Sequence, residues 1–264
     1  MKHYAKALFG LLAGAVLICA ATGCTAVQTK KAKSVTLTVS AAASLQNALI
    51  DIQKQYKEEQ PNIELAFNFG ASGSLQQQIE QGAPVDLFFS AAEDKFQTLV
   101  KKGFIDKEER TGVLGNELVL IVPKNSGKRI TSLTSLEQLD VKQLALGTPE
   151  VVPAGKYAQQ ALMNLKLWSA VEQKVVYAKD VRQVLTYVET NNVDGGLVYK
   201  TDALVSNKVD IVDTVPASMH ESIIYPLGII KATSHKKEAA ALYHYLQTEE
   251  ALHVFEKYGF TILK

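Results

Sequence analysis

Strand-like runs that pass into helix-like runs through short turns recur along this chain, and that alternation limits it to an α/β fold. Residues 35–40 alternate with a period of two, and Leu45, Ala48, Leu49, Ile52 and Tyr56 then recur at helical spacing. Ser44 is expected as the N-cap of that helix. Residues 63–69 return to alternation, 75–79 begin a short helix, and 86–90, with two phenylalanines, read as a buried strand. This order predicts a parallel sheet. A helix over 94–102 follows, then a strongly apolar run over 117–122 that Pro123 stops. A second series comes next, with strand 144–146, helix 155–165, strand 175–177, helix 181–189, and strands 196–199 and 209–212. The chain ends with an extended apolar run over 223–230 and a helix over 236–257, whose apolar positions are Ala239, Leu242, Tyr243, Leu246, Ala251, Val254 and Phe255.

Two lobes are therefore expected, each a doubly wound, mostly parallel sheet. The runs 117–122 and 223–230 would join them as hinge strands. Lobe I would span 35–118 and return through 225–264, and lobe II would span 119–224. In such sheets the ligand crevice lies beyond the carboxyl ends of the strands. Four turns occupy that position: 41–45 (AAASL), 70–75 (GASGSL), 149–158 (PEVVPAGKYA) and 178–183 (AKDVRQ). Two come from each lobe. A helix N-terminus offers backbone N–H groups without intrahelical partners and the positive end of the macrodipole, so several converging can hold a dianion without a charged side chain. The pattern points to capture of an oxyanion rather than chemistry on it.

The N-terminus has a separate role. Lys2 and Lys6 precede an uncharged run over 7–20 that is short for a membrane span, so 1–23 reads as a secretory signal peptide. It ends Ala21-Thr22-Gly23-Cys24, which resembles a bacterial lipoprotein box with Ala21 where leucine is more usual. That resemblance implies lipid attachment at Cys24 and a flexible, lysine-bearing tether over 24–34. A plain signal peptide cut near Ala26 is the alternative. Cys19 lies in the discarded run, leaving the exported chain no cysteine pair for a disulfide. The chain carries 28 basic and 27 acidic residues. Loss of Lys2 and Lys6 leaves 26 against 27, or −1, a balance that gives no support to a nucleic-acid partner.

Read in order, AAASLQNAL, QQQIEQGAPVDLFFSA, LGNELVLIVPK, GTPEVVPAGKYAQQAL, AKDVRQVL, GLVYKTDA, YPLGII and FEKYGF resemble the molybdate-binding proteins of bacterial ABC importers across nearly the whole mature chain. The resemblance implies a periplasmic-binding-protein fold and no enzymatic activity. It also implies a monomer with molybdate or tungstate as its ligand, no cofactor, and permease subunits with their ATPase as partners. The chain would be exported and held by its lipid at the outer face of the cell membrane, on the periplasmic side where an outer membrane exists. In that family the anion is held without metal or cation, by two serines, backbone amides and a tyrosine. The matching positions are Ser44, Ser72, Ala154, Val181 and Tyr199. The family often carries another hydroxyl where this chain has Ala71 or Gly73, and Ser74 stands as an extra donor.

Each position also has a structural reading. Ser44 would otherwise be only a cap, Ser72 a turn residue and Tyr199 a half-buried core tyrosine. Pro153 suits the first helical turn and Gly155 a close backbone approach, leaving the Ala154 N–H free to bind. Asp180 suits an N-cap, which places the Val181 N–H among the unpartnered donors. Arg182 reads as a solvated or bridging side chain; contact with the anion is the alternative. The same scaffold serving sulfate or another tetrahedral oxyanion is the runner-up. A hydrolase lacks its G-x-S-x-G elbow, since Gly70-Ala71-Ser72-Gly73-Ser74 offsets the glycines. The stretch from Gly147 to Gly155-Lys156 has the wrong spacing for a P-loop, with Tyr157 where Ser or Thr is required. The histidines His3, His220, His235, His244 and His253 form no metal-ligand motif.

Overall fold

Two mixed sheets take up the strands in a computed structural model that describes residues 34–124, 130–138 and 140–263. The expected signal peptide, Cys24 and all but the last residue of the tether lie outside them. The first sheet gathers β1 Val35–Ala42, β2 Ile63–Gly70, β3 Leu87–Phe89 and β4 Ile105–Gly115. The chain then crosses to the second with β5 Leu118–Pro123, β6 Leu144–Gly147, β7 Val175–Ala178, β8 Gly195–Tyr199 and β9 Val209–Thr214. It returns to the first sheet with β10 Ile224–Ile230 and β11 Thr261–Ile262. The strand orders are β11-β4-β10-β3-β1-β2 and β7-β6-β8-β5-β9.

The two-lobe α/β architecture is the expected one, but parallel pairing is confined to β1 with β2 and β3, and to β6 with β7 and β8. The remaining pairs are antiparallel. The cause is the double crossing, because strands that enter or leave a lobe run against those wound by helices. The crossings, Asn116–Glu117 and 215–223, flank the two strands expected as hinges. β5 lies wholly in the second sheet and β10 wholly in the first.

Helices cover the sheets. They are α1 Gln46–Glu59, α2 Ser72–Glu80, α3 Glu93–Lys101, α4 Pro153–Asn164, α5 Trp168–Val171, α6 Val181–Glu189, α7 Lys200–Leu204, α8 Lys236–Tyr245 and α9 Glu249–Lys257. α6 shows why such segments fold locally. Val181, Val184, Leu185 and Val188 make one buried stripe, and the Asp180 carboxylate accepts from the Gln183 N–H at 2.8 Å. β5 and β8, each flanked on both edges, are buried at every position.

Two expectations need correction, and one strand was not expected. Ser44 is not a helix cap; it lies inside a 3-10 turn, Ala43–Leu45, and its hydroxyl pairs with the Tyr225 hydroxyl at 2.9 Å. The helix expected over 236–257 is two helices. Thr248 caps the second, with Glu249 and Glu250 in its first turn, and the change of direction lets Phe255 meet Phe89 and Phe260 edge-on. β4 went unread because its charged stretch shows no alternation, yet β10 and β11 pair with it on both sides.

Candidate functional site

The turns that follow β1, β2, β6 and β7 converge on one cavity between the lobes. Ser44, Ser72, Ala154, Val181 and Tyr199 all line it, together with backbone from Gly70 to Ala71 and from Val152 to Pro153. The space open to the centre of a water-sized sphere is about 10 Å³, room for a single small ion. All five residues are buried, none more than 4 % exposed. Ser72 and Val181 are the first residues of α2 and α6, and Ala154 is the second of α4. Their N–H groups therefore belong to the set with no intrahelical acceptor, and the positive ends of three helices face the same void.

The hydroxyls are set as donors. Ser72 Oγ accepts from the Ala91 N–H at 2.9 Å, which leaves its own proton for the cavity. The Tyr199 hydroxyl has only a long contact, to the Ala91 carbonyl at 3.5 Å. Burial pushes the Tyr199 phenol well above its ordinary range, so it stays protonated and able to donate. Ser74 is partly exposed and does not line the cavity. Gly73 has no room for a hydroxyl-bearing side chain, since a Cβ there would stand 2.7 Å from Val151 Cα. Gly155 is equally constrained, because a Cβ would fall 1.9 Å from the Gly147 carbonyl oxygen.

Among the described residues, no charged side chain lines the cavity. Arg182 bridges instead. Its Nε stands 2.6 Å from Asp202 Oδ1, and its Nη2 reaches toward the Ser44 carbonyl at 3.5 Å. Asp202 is fully buried, and sequence reasoning missed it because nothing near α7 marks a carboxylate as internal. Burial pushes its carboxyl up to about 6, against the pull of the Arg182 guanidinium and the Tyr199 backbone N–H. A folded-state value above the unfolded one means that the native chain holds this proton more tightly. Asp202 therefore contributes most below about pH 4, and that contribution is lost as pH rises through about 6. Wild type should lose stability relative to Asp202→Asn as pH rises across that window. Urea unfolding of both proteins on either side of the window measures it; parallel pH profiles would refute the assignment.

The lobes meet across the cleft. The Gly73 N–H donates to the Val151 carbonyl at 2.9 Å, Lys95 Nζ donates to the Glu150 carbonyl at 2.9 Å, and Lys156 stands 3.5 Å from Asp94. This is a closed arrangement, with the lobes bridged beside the cavity. A site of this kind, with two α/β lobes clamped over a small void lined by hydrogen-bond donors, is built as that of a two-lobed binding protein.

Comparison with known proteins gives the lineage. The profile of a family described as bacterial extracellular solute-binding proteins matches residues 37–261. A Bacillus subtilis protein, YvgL, named as a candidate ABC transporter substrate-binding lipoprotein, is 57 % identical over 90 % of this chain and 92 % of its own. The molybdate-binding protein ModA of Escherichia coli is 39 % identical over 98 % of this chain and 99 % of its own. A solved substrate-binding domain of a molybdenum ABC transporter candidate from Clostridium difficile shares 39 % identity, with a TM-score of 0.68, and covers 88 % of this chain and all of its own. The chain belongs to the bacterial extracellular solute-binding proteins, within the branch that includes the molybdate-binding relatives. These relatives are solute-binding proteins of ABC transporters, not enzymes. Among the described residues, no helix is long and apolar enough to cross a membrane.

Proposed function

We propose that this chain captures molybdate, and tungstate of nearly the same size, outside the cytoplasm and delivers it to the permease and ATPase of an ABC importer. The observation that carries the reading is the uncharged cavity, into which three helix N-termini, two serine hydroxyls and a tyrosine hydroxyl are turned. The anion's oxygens would be bound by the hydroxyls of Ser44, Ser72 and Tyr199 and by the backbone N–H groups of the two serines, Ala154 and Val181. A fully deprotonated tetrahedral dianion only accepts hydrogen bonds, and this lining only donates. Sulfate matches that chemistry but is smaller. Donors set for longer metal–oxygen bonds leave some of its bonds unmade, at ~1.5–3 kcal/mol for each charge-assisted bond lost. The chain would work as a monomer, tethered by a lipid on Cys24.

Calorimetric titration of the chain with molybdate, tungstate, sulfate and phosphate tests the substrate. One-to-one binding of the first two, with sulfate unable to displace them, is expected. Preference for sulfate would keep the fold and overturn the substrate. The neutral-site account makes a second prediction. Arg182→Ala alone removes the pull that opposes burial at Asp202, so the buried carboxyl takes up a proton rather than standing as a bare charge near the anion. Arg182→Ala combined with Asp202→Asn removes both charges and should bind molybdate within about threefold of wild type, as expected for side chains that do not touch the ligand. A loss of a hundredfold in the double variant would place Arg182 on the anion.

A further inference from the structure

Behind Ser44, on the side away from the cavity, three polar side chains from distant parts of the chain meet in the protein interior. The Tyr225 hydroxyl of β10, fully buried, lies 2.9 Å from Ser44 Oγ. Asn116, at the first crossing between the lobes, donates through Nδ2 to the Tyr225 hydroxyl at 3.1 Å and to Thr201 Oγ1 of α7 at 2.9 Å. The Glu117 N–H donates to Asn116 Oδ1 at 2.9 Å, which fixes which end of the amide faces inward. Burial pushes the Tyr225 phenol well above its ordinary range, so its proton stays on.

The direction of every bond follows from that amide. Nδ2 can only donate, so Tyr225 oxygen accepts from it. The single Tyr225 proton then has Ser44 Oγ as its acceptor. Ser44 Oγ accepts that bond through one lone pair, so its own proton turns away from Tyr225 and toward the cavity. We infer that Asn116 and Tyr225 are positioning residues that orient Ser44 as a donor and so bias the site toward anions that carry no proton. This rests on the oxyanion reading above and deepens it, since neither residue touches the ligand. It also gives the crossing at Asn116 a direct link to the anion, through side chains of both lobes.

Tyr225→Phe removes the orienting hydroxyl and keeps the ring. The Ser44 hydroxyl is then free to turn and present a lone pair, rather than its proton, to a ligand O–H. Phosphate at neutral pH, every species of which carries a proton, is the probe for that change, and molybdate is the control. Wild type should bind molybdate; if it does not, the oxyanion reading itself is wrong and the variant is not needed to show it. In Tyr225→Phe, molybdate affinity should fall about five- to tenfold, the loss expected for one modest hydrogen bond. Phosphate affinity should hold or rise, so that the molybdate-to-phosphate ratio narrows by at least the same factor. A purely structural role would weaken both anions equally, and that outcome, or an unchanged ratio, overturns the inference. Asn116→Ala provides a second route through the same relay should Tyr225→Phe fold poorly. It should narrow the ratio in the same direction, and the double variant should add little to either single change. Additive effects of the two changes would mean that no relay exists.

Discussion

Gly73→Ala is expected to lower molybdate affinity by about a hundredfold or more while leaving the fold intact. Gly73 sits in the first turn of α2, where alanine is the better helix former by about 1 kcal/mol, so the first lobe has no reason to resist it. The obstacle lies on the other lobe. A Cβ at this position would stand 2.7 Å from Val151 Cα and 2.8 Å from the Val151 carbonyl oxygen, and neither backbone atom can rotate away. The same approach carries the Gly73 N–H to Val151 carbonyl bond that spans the cleft. Alanine therefore penalises the closed arrangement specifically. A ligand that binds only the closed state loses affinity in proportion to the population of that state, so a closing penalty of about 3 kcal/mol corresponds to the hundredfold loss. Titration against molybdate, paired with the melting temperature of the ligand-free variant, separates the two effects. A stable protein with wild-type affinity would show that the lobes need not approach this closely. A protein that fails to fold would show that the contact is part of the fold rather than of closure.

Ser72→Ala is expected to weaken binding by at least tenfold and to lower stability as well, whereas Tyr199→Phe should do only the first. Ser72 loses a charge-assisted donor to the anion and also the acceptor of the buried Ala91 N–H, which is then left unsatisfied at a cost of about 1–3 kcal/mol. Tyr199 has little to lose in the empty protein, because its hydroxyl makes only a 3.5 Å contact. Its loss should appear in binding alone, again roughly tenfold for one charge-assisted bond. Calorimetry and urea unfolding of the two variants give the comparison. Unchanged affinity in both would remove these hydroxyls from the site.

The parts of this fold that show in the sequence are those whose burial is periodic. The stripe on α6, the alternation of β1 and the continuous apolar β5 each declare both their type and their face. β4 does not, because a strand paired on both edges is held by its backbone ladder, and the charged residues over 106–110 conceal it. The break between α8 and α9 is similarly hidden. Apolar spacing runs through it, and only Thr248 followed by two glutamates marks a new helix start.

The site divides in the same way. Ser44, Ser72, Ala154, Val181 and Tyr199 fall at strand-to-helix turns and match the motifs of molybdate-binding proteins, so sequence alone brings them forward. Their arrangement around one void is a property of the fold. Tyr225 and Asn116 had no local signal, since the contacts that matter to them span 181 and 109 residues. The same holds for Gly73. Its sequence neighbours present it as a flexible turn glycine or a missing hydroxyl, whereas its role is set by Val151 of the opposite lobe.

The most direct test of the central claim is a crystal structure of the chain grown with tungstate, read from the anomalous signal of the metal. The account predicts one strong peak in the cavity between the lobes, with oxygens within hydrogen-bond distance of the Ser44, Ser72 and Tyr199 hydroxyls and of the Ala154 and Val181 N–H groups. Arg182 should still be paired with Asp202. A peak elsewhere, or one coordinated by the Arg182 guanidinium, would contradict it.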